Sequence, residues 1–194
     1  MSYFQYTQQS FACALDVHLS TQDFQRPIAD ALIYDTAYQV ITQACAHYLH
    51  LTCAESCTGG WVAQSLTAIA GSSACLDLTW VTYANRAKHQ ALNVPQVYLD
   101  QLGAVSAPVV ETMVQGALQH AQADLGVAIS GVAGPGGGSA NKPVGTVDFA
   151  WGTNPYALVS RRLHFVGDRD QIRRCAVLCA LQGLKLWLQQ PLNT

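Results

Sequence analysis

Two apolar runs in this chain each end in a loop of glycine and small hydroxyl residues, and that pairing narrows the folds open to it. The first, Leu51 to Ala54, hands over to Glu55-Ser56-Cys57-Thr58-Gly59-Gly60 just ahead of a helical stretch. The second, Leu125 to Ser130, enters Gly131-Val132-Ala133-Gly134-Pro135-Gly136-Gly137-Gly138. In α/β proteins a strand end delivers its side chain to the crevice beyond the sheet, glycines admit close backbone approach, and the next helix offers unpaired N–H groups to an anion or oxyanion. Two loops of this kind predict one shared pocket.

Around them helical and extended patterns alternate. Ala31, Leu32, Tyr34, Tyr38, Ile41, Cys45 and Tyr48 recur at helical spacing and predict an opening helix over 28–50 with those residues as its apolar stripe. Strand one follows at 51–54, a helix at 59–69 stopping near Gly71-Ser72-Ser73, and a β-branched and aromatic strand at 76–84. A short helix spans 85–92, and one more helical turn fits between Pro95 and Gly103. Ser106 is a candidate N-cap, with Pro108 in the first turn of a helix whose buried stripe is Val110, Met113, Ala117 and Ala121. Strand three covers 127–130. The segments 145–151 and 157–165 flank Gly152-Thr153-Asn154-Pro155 as a hairpin, and Asp168 caps a long final helix. This order predicts a three-layer α/β domain over residues 29–190 with a mixed five-stranded sheet. Residues 1–28 hold no steady period and stand as an extension of uncertain structure.

A chain of 194 residues accommodates one sizeable domain. Half of it is hydrophobic and only 11% is charged, so association into a homo-oligomer is expected to cover part of the apolar surface. The formal charge of −2, with no cluster of Lys, Arg and aromatic residues, argues against a nucleic-acid partner. No stretch approaches the ~20 apolar residues that cross a bilayer, and the start lacks signal-peptide character, so no membrane partner and a cytoplasmic location are expected. Seven cysteines without a CxxC pair or Cys/His ligand spacing read as buried free thiols rather than a disulfide framework or a metal site.

Ser56 has the setting of a nucleophile, although a serine ahead of a helix is more often an ordinary N-cap, and Thr58 competes for that role. A serine hydroxyl needs a base. None of the six histidines falls in a loop at a strand end; His89 comes closest. Tyr83 and Lys88 lie within one strand–helix turn of each other, and a lysine serves as base once burial leaves it neutral. Taken singly, Lys88 is also a solvated helix residue and Tyr83 a core aromatic. Cys57 is a rival nucleophile, but no neighbouring histidine activates it. The glycine loop matches neither the Walker A nor the G-x-G-x-x-G pattern. It reads either as an anion nest of successive backbone N–H groups or as a flexible surface loop. Arg169 and Arg173, four apart at the start of the last helix, oppose its dipole. Their charge is offset either by Asp168 and Asp170 or by a ligand phosphate.

Seven motifs in order give the chain a resemblance to the CinA C-terminal domain family. They are Ala54-Glu55-Ser56-Cys57-Thr58-Gly59-Gly60, Ala70-Gly71-Ser72-Ser73, Val81-Thr82-Tyr83-Ala84-Asn85, Gly103-Ala104-Val105-Ser106, the run from Ile129 to Gly138, Lys142-Pro143-Val144-Gly145-Thr146-Val147, and Gly167-Asp168-Arg169. The resemblance implies an α/β/α sandwich with a mixed five-stranded sheet. It also implies hydrolysis of the amide of nicotinamide mononucleotide to the acid and ammonia, a step of pyridine-nucleotide recycling that takes no cofactor and no metal. By position, Ser56 is then the nucleophile, Lys88 its base and Tyr83 a partner in proton transfer or positioning. Backbone N–H groups of Cys57, Thr58 and Gly59 meet the oxyanion. Ser130, Gly131, Gly134, Gly136, Gly137, Gly138, Arg169 and Arg173 form the substrate and phosphate site. Family members with an additional molybdopterin-type domain are longer, so the chain resembles the stand-alone amidase form. Arg86 stands where an acidic residue is commoner, and a cation two residues from Lys88 is a candidate for lowering its pKa. Two other readings remain at this level: a catalytically silent nucleotide-binding module, and an amidase that depends on Cys57.

Overall fold

A computed structural model describes residues 11, 12, 15, 16, 19, 24, 26–153 and 157–189. Its elements in chain order are α1 (Asp30–Ala46), β1 (Leu51–Glu55), α2 (Trp61–Thr67), a 3₁₀ turn at Ser72–Ala74, β2 (Trp80–Val81), α3 (Asn85–Leu92) and α4 (Gln96–Gln101). They continue with α5 (Ala107–Ala121), β3 (Leu125–Gly131), β4 (Thr146–Thr153), β5 (Ala157–His164) and α6 (Arg169–Leu188). The sheet order is β2-β1-β3-β4-β5. The first three neighbours pair parallel and the last three antiparallel, as the expected hairpin requires. The hairpin's turn, around Asn154 and Pro155, lies outside the described residues.

Two-residue alternation sorts the strand side chains onto two faces. On one, Leu51, Cys53, Val127, Ile129, Phe149 and Trp151 pack with α1, α2 and α6 into the larger core. On the other, Ala54, Ala128 and Ala150 meet Val110, Met113 and Val114 of α5 and Leu92 of α3. Three alanines side by side leave little relief on that face, so α5 lies close to the sheet. Helices on both faces make a three-layer α/β/α sandwich around a mixed five-stranded sheet.

Three expectations shift. The buried face of α1 carries Ile33, Thr36, Ala37, Val40, Ile41 and Ala44, which shares only Ile41 with the expected stripe, and Leu32, Tyr34, Tyr38 and Tyr48 are exposed. Both faces of this helix are apolar at helical spacing, and the one with the smaller side chains is the one that docks. Strand two, expected over 76–84, forms a ladder only at Trp80–Val81. The run ahead of it meets β1 through an isolated bridge from Leu76 to Leu51 and a Thr52 hydroxyl that donates to the Leu78 carbonyl at 2.7 Å. A side chain there replaces a ladder hydrogen bond at the sheet edge. Ser106 is the N-cap residue of α5, but its hydroxyl donates back to the Gly103 carbonyl at 2.9 Å instead of accepting from the helix.

Described residues ahead of α1 join the same core. Phe11, Leu15, Leu19 and Phe24 are buried in the larger cluster, with the Phe11 ring centroid 3.9 Å from that of Trp187. Arg161 of β5 fixes it from outside, through Asp16 and the Ala12 carbonyl. Six described cysteines are free thiols; Cys45 is only half-buried, and its sulfur lies 3.2 Å from that of Cys75. Among the described residues no helix is long and apolar enough to cross a membrane.

Gly183 shows how closely α6 seats on the sheet. A Cβ at this position would lie 2.2 Å from the Trp151 ring, whose Nε1 donates to the Ala180 carbonyl at 3.1 Å. Helix propensity favours alanine over glycine by about 1 kcal/mol. Here the forced displacement of a buried indole outweighs it. Gly183→Ala is expected to destabilise the protein by about 1–3 kcal/mol in denaturant unfolding; an unchanged or raised midpoint would contradict this packing.

Candidate active site

The two loops meet. A cleft of about 240 Å³ opens at the carboxyl ends of β1 and β3, lined by Ser56, Cys57, Tyr83, Lys88, Ser130 and Arg169 among others. Strand alternation explains how β1 feeds two structures at once. Glu55, the last residue of β1, faces the larger core, while Ser56 turns toward α3 on the opposite side.

Glu55 is fully buried and accepts from the amides of Gly60 at 3.0 Å, Val62 at 3.1 Å and Ala63 at 2.8 Å. It thus fills the amino end of α2. A carboxylate is well suited to that position, because the free N–H groups and the helix dipole both favour negative charge. This corrects the expectation that the start of α2 would be open to a substrate anion. Gly59 is also spoken for: its amide closes a turn to the Ser56 carbonyl at 3.1 Å. The amides of Cys57 and Thr58 meet no carbonyl or carboxylate among the described residues. Gly60, with φ of 94°, takes the left-handed conformation that lets the loop turn into α2.

Lys88 comes from α3 and is fully buried. Its Nζ lies 2.9 Å from Ser56 Oγ and 2.6 Å from the Thr82 carbonyl, with the Tyr83 carbonyl at 3.5 Å. Burial lowers its pKa from 10.5 to about 8, with Cys57 acting in the opposite direction. Arg86 has no part in this: it is exposed, and two residues along a helix is a rotation of about 200°. When neutral, the amine donates to Thr82 and presents a lone pair to the serine hydroxyl. His89, the histidine nearest the site in sequence, instead pairs its Nδ1 with the Val94 carbonyl at 2.9 Å.

Cys57 lines the cleft, but burial pushes its thiol up to about 12, so it remains protonated at neutral pH. Ser130 also lines the cleft; its hydroxyl is buried and has no hydrogen-bond partner among the described residues. Ser130 stands in register with Asp148 and Asp148 with Arg162. Arg162 grips the buried Asp148 carboxylate with two contacts of 2.8 Å, and its other reach, 3.4 Å to the Val105 carbonyl, ties in the loop that forms one cleft wall.

Arg169 and Arg173 have different tasks. Arg169 lines the cleft, donating to the Gly134 carbonyl at 2.7 Å and to the Tyr83 hydroxyl at 3.2 Å. Arg173 is behind the loop that carries Ser56, donating to the Cys57 carbonyl at 3.2 Å and the Thr58 carbonyl at 2.8 Å, with its guanidinium 5.1 Å from the Trp61 ring centroid. It does not line the cleft, whereas Arg169 does. Of the glycine loop, Gly131 and Ala133 line the cleft, and Gly134 adopts φ of 77° beside Arg169. Gly136, Gly137 and Gly138 are exposed and do not line it. Glu55 was the principal omission from the sequence reading. Its signal was a lone acidic residue closing an apolar strand immediately before a helix start.

Glu55→Gln substitutes an NH₂ for one of the accepting oxygens and sets donor against donor in a buried site. The expected cost is about 1–3 kcal/mol of unfolding free energy. An unfolding midpoint equal to wild type would show that the three amides do not depend on the charge.

The family model for the CinA C-terminal domain matches residues 34–188. Nicotinamide-nucleotide amidohydrolase PncC of Escherichia coli K12 is 55% identical over 144 residues, 74% of this chain and 86% of that protein. The protein of the same name from Pseudomonas putida is 52% identical over 134 residues, 69% of this chain and 83% of its own length. Among solved structures, the competence/damage inducible protein CihA from Agrobacterium tumefaciens superposes with a TM-score of 0.78 at 40% identity, over 81% of this chain and 96% of that one.

Proposed function

The chain belongs to the CinA C-terminal domain family, and from that footing we propose that it hydrolyses the carboxamide of nicotinamide mononucleotide, with Ser56 as nucleophile and Lys88 as its base. The observation that carries the mechanism is the contact of 2.9 Å between a buried, pKa-lowered Lys88 amine and Ser56 Oγ. A hydroxyl attacks a carboxamide only if something removes its proton, and a neutral amine with its lone pair on that oxygen does so.

The step balances as follows. The Ser56 oxygen forms a bond to the amide carbon while its proton passes to Lys88 Nζ, and the carbonyl electron pair moves onto oxygen. The amides of Cys57 and Thr58, which donate to no backbone carbonyl among the described residues, serve as donors to that charge. As the intermediate collapses, the C–N bond breaks and Lys88 returns the proton to the departing nitrogen, releasing ammonia. Water then attacks the ester, gives a proton to Lys88, and the serine oxygen leaves and takes that proton back. Ser130 offers its unpartnered hydroxyl to the substrate amide or ring. Tyr83 and Arg169, joined at the cleft mouth, position the nucleotide, with Arg169 the cation available to its phosphate.

The sign of the pH dependence follows from the base. Lys88 acts when neutral, so kcat/KM is expected to rise with pH and level off above a midpoint near 8, measured by ammonia release. A profile that is flat across that range, or falls, would contradict a lysine base. Ser56→Ala is expected to reduce ammonia release by at least about a thousandfold while leaving the fold intact. Cys57→Ala keeps the backbone amide and is expected to retain activity within about tenfold; the opposite pattern in the two variants would move the chemistry to sulfur.

A further inference from the structure

Arg173 is engaged with the backbone of the loop that carries Ser56. Its guanidinium holds two consecutive carbonyls of the nucleophile loop, Cys57 and Thr58, and lies against Trp61. A trans peptide points its C=O and N–H in opposite directions. The Cys57 carbonyl that accepts from Arg173 belongs to the same peptide unit as the Thr58 amide. That amide therefore points away from the arginine, and no acceptor among the described residues takes it. The next unit behaves differently: the Thr58 carbonyl also accepts from Arg173, but its Gly59 amide is used by the Ser56 carbonyl. From the other end, Glu55 draws in the amides of Gly60, Val62 and Ala63. An anion holding N–H groups and a cation holding carbonyls fix the loop at both ends, leaving the Cys57 and Thr58 amides unclaimed.

We infer that Arg173 is a positioning residue for the amidase reaction, acting through the Cys57–Thr58 peptide to aim and polarise the Thr58 amide that meets the oxyanion formed on Ser56. A charged donor on a carbonyl strengthens the N–H of the same peptide, since linked hydrogen bonds polarise one another. The effect appears where negative charge develops, and so belongs to the transition state rather than to substrate binding. The inference rests on the amidase reading and assigns Arg173 to catalytic geometry, in contrast to a phosphate ligand.

The two roles separate in a pair of measurements on the full chain. Arg173→Gln removes the charge and one of the two donor contacts; Arg173→Lys keeps the charge near Trp61 but lacks the planar fork. Ammonia release from nicotinamide mononucleotide gives kcat and KM, and calorimetric titration with the product, nicotinate mononucleotide, reports binding without chemistry. The expected result is a kcat lowered by about 10- to 100-fold in Arg173→Gln, with partial recovery in Arg173→Lys. Product Kd is expected to stay within about threefold of wild type, and the pH midpoint of kcat/KM to remain where Lys88 sets it. A phosphate ligand gives the reverse pattern: product binding weakened by about tenfold or more. That outcome, or a kcat equal to wild type, overturns the inference. If Arg173→Gln does not fold, Arg173→Lys carries the same test. A wild-type chain that releases no ammonia overturns the amidase reading itself, an outcome distinct from any difference between wild type and variant.

Discussion

The amine of Lys88 has no access to bulk water, and the site depends on that exclusion. An ammonium in solvent is a poor base at neutral pH, whereas burial destabilises its charged form and brings its pKa to about 8. The fold secures that burial by a chain of small constraints. β2 is only two residues long, so the chain leaves the sheet edge early, and the Thr82 amide donates to the Glu55 carbonyl at 2.9 Å before α3 begins. α3 is then held against α5, where a Cβ on Gly116 would lie 2.4 Å from the Leu92 carbonyl. The result is a lysine directed inward along the bottom of the cleft, with the Thr82 carbonyl and Ser56 hydroxyl as its immediate polar neighbours.

Opposed charges organise the loop that carries Ser56. Glu55 and Arg173 lie on the larger-core side and engage mainly backbone, one through N–H groups and the other through carbonyls. Since neither side chain reaches into the cleft, they shape the chemistry without occupying its space. On the far wall, the Asp148–Arg162 pair has a similar use: a buried carboxylate anchors an arginine that reaches to the Val105 carbonyl. Serine, lysine and tyrosine are displayed inside a frame made largely of ion–backbone contacts.

Much of this was legible in the sequence because it depends on punctuation. Glycines after an apolar run locate Ser56 and Gly131, and the register of a parallel sheet brings two such strand ends together. The need of a hydroxyl for a base pointed to Lys88 beside Ser56, and the two lie 2.9 Å apart. The phase of α1 was not legible, because Tyr34 and Tyr38 are as periodic as Ile33 and Ala37 and only packing against α6 selects between them. The separate duties of Arg169 and Arg173 were also hidden. Four residues apart, they share a helix face; which one meets the cleft depends on how α6 is rotated against the loop, a tertiary fact. The expected phosphate nest is only partly realised at the cleft, since Gly136 to Gly138 run on into an exposed turn.

Titration of the Lys88 side chain itself tests the central claim most directly. With lysine carrying a ¹³C label at Cε, and Lys88→Met used to assign the signal, its chemical shift can be followed with pH. The account predicts a midpoint near 8. A midpoint at the ordinary lysine value of 10.5 would mean that the amine stays charged at working pH, and Ser56 would be left without a base.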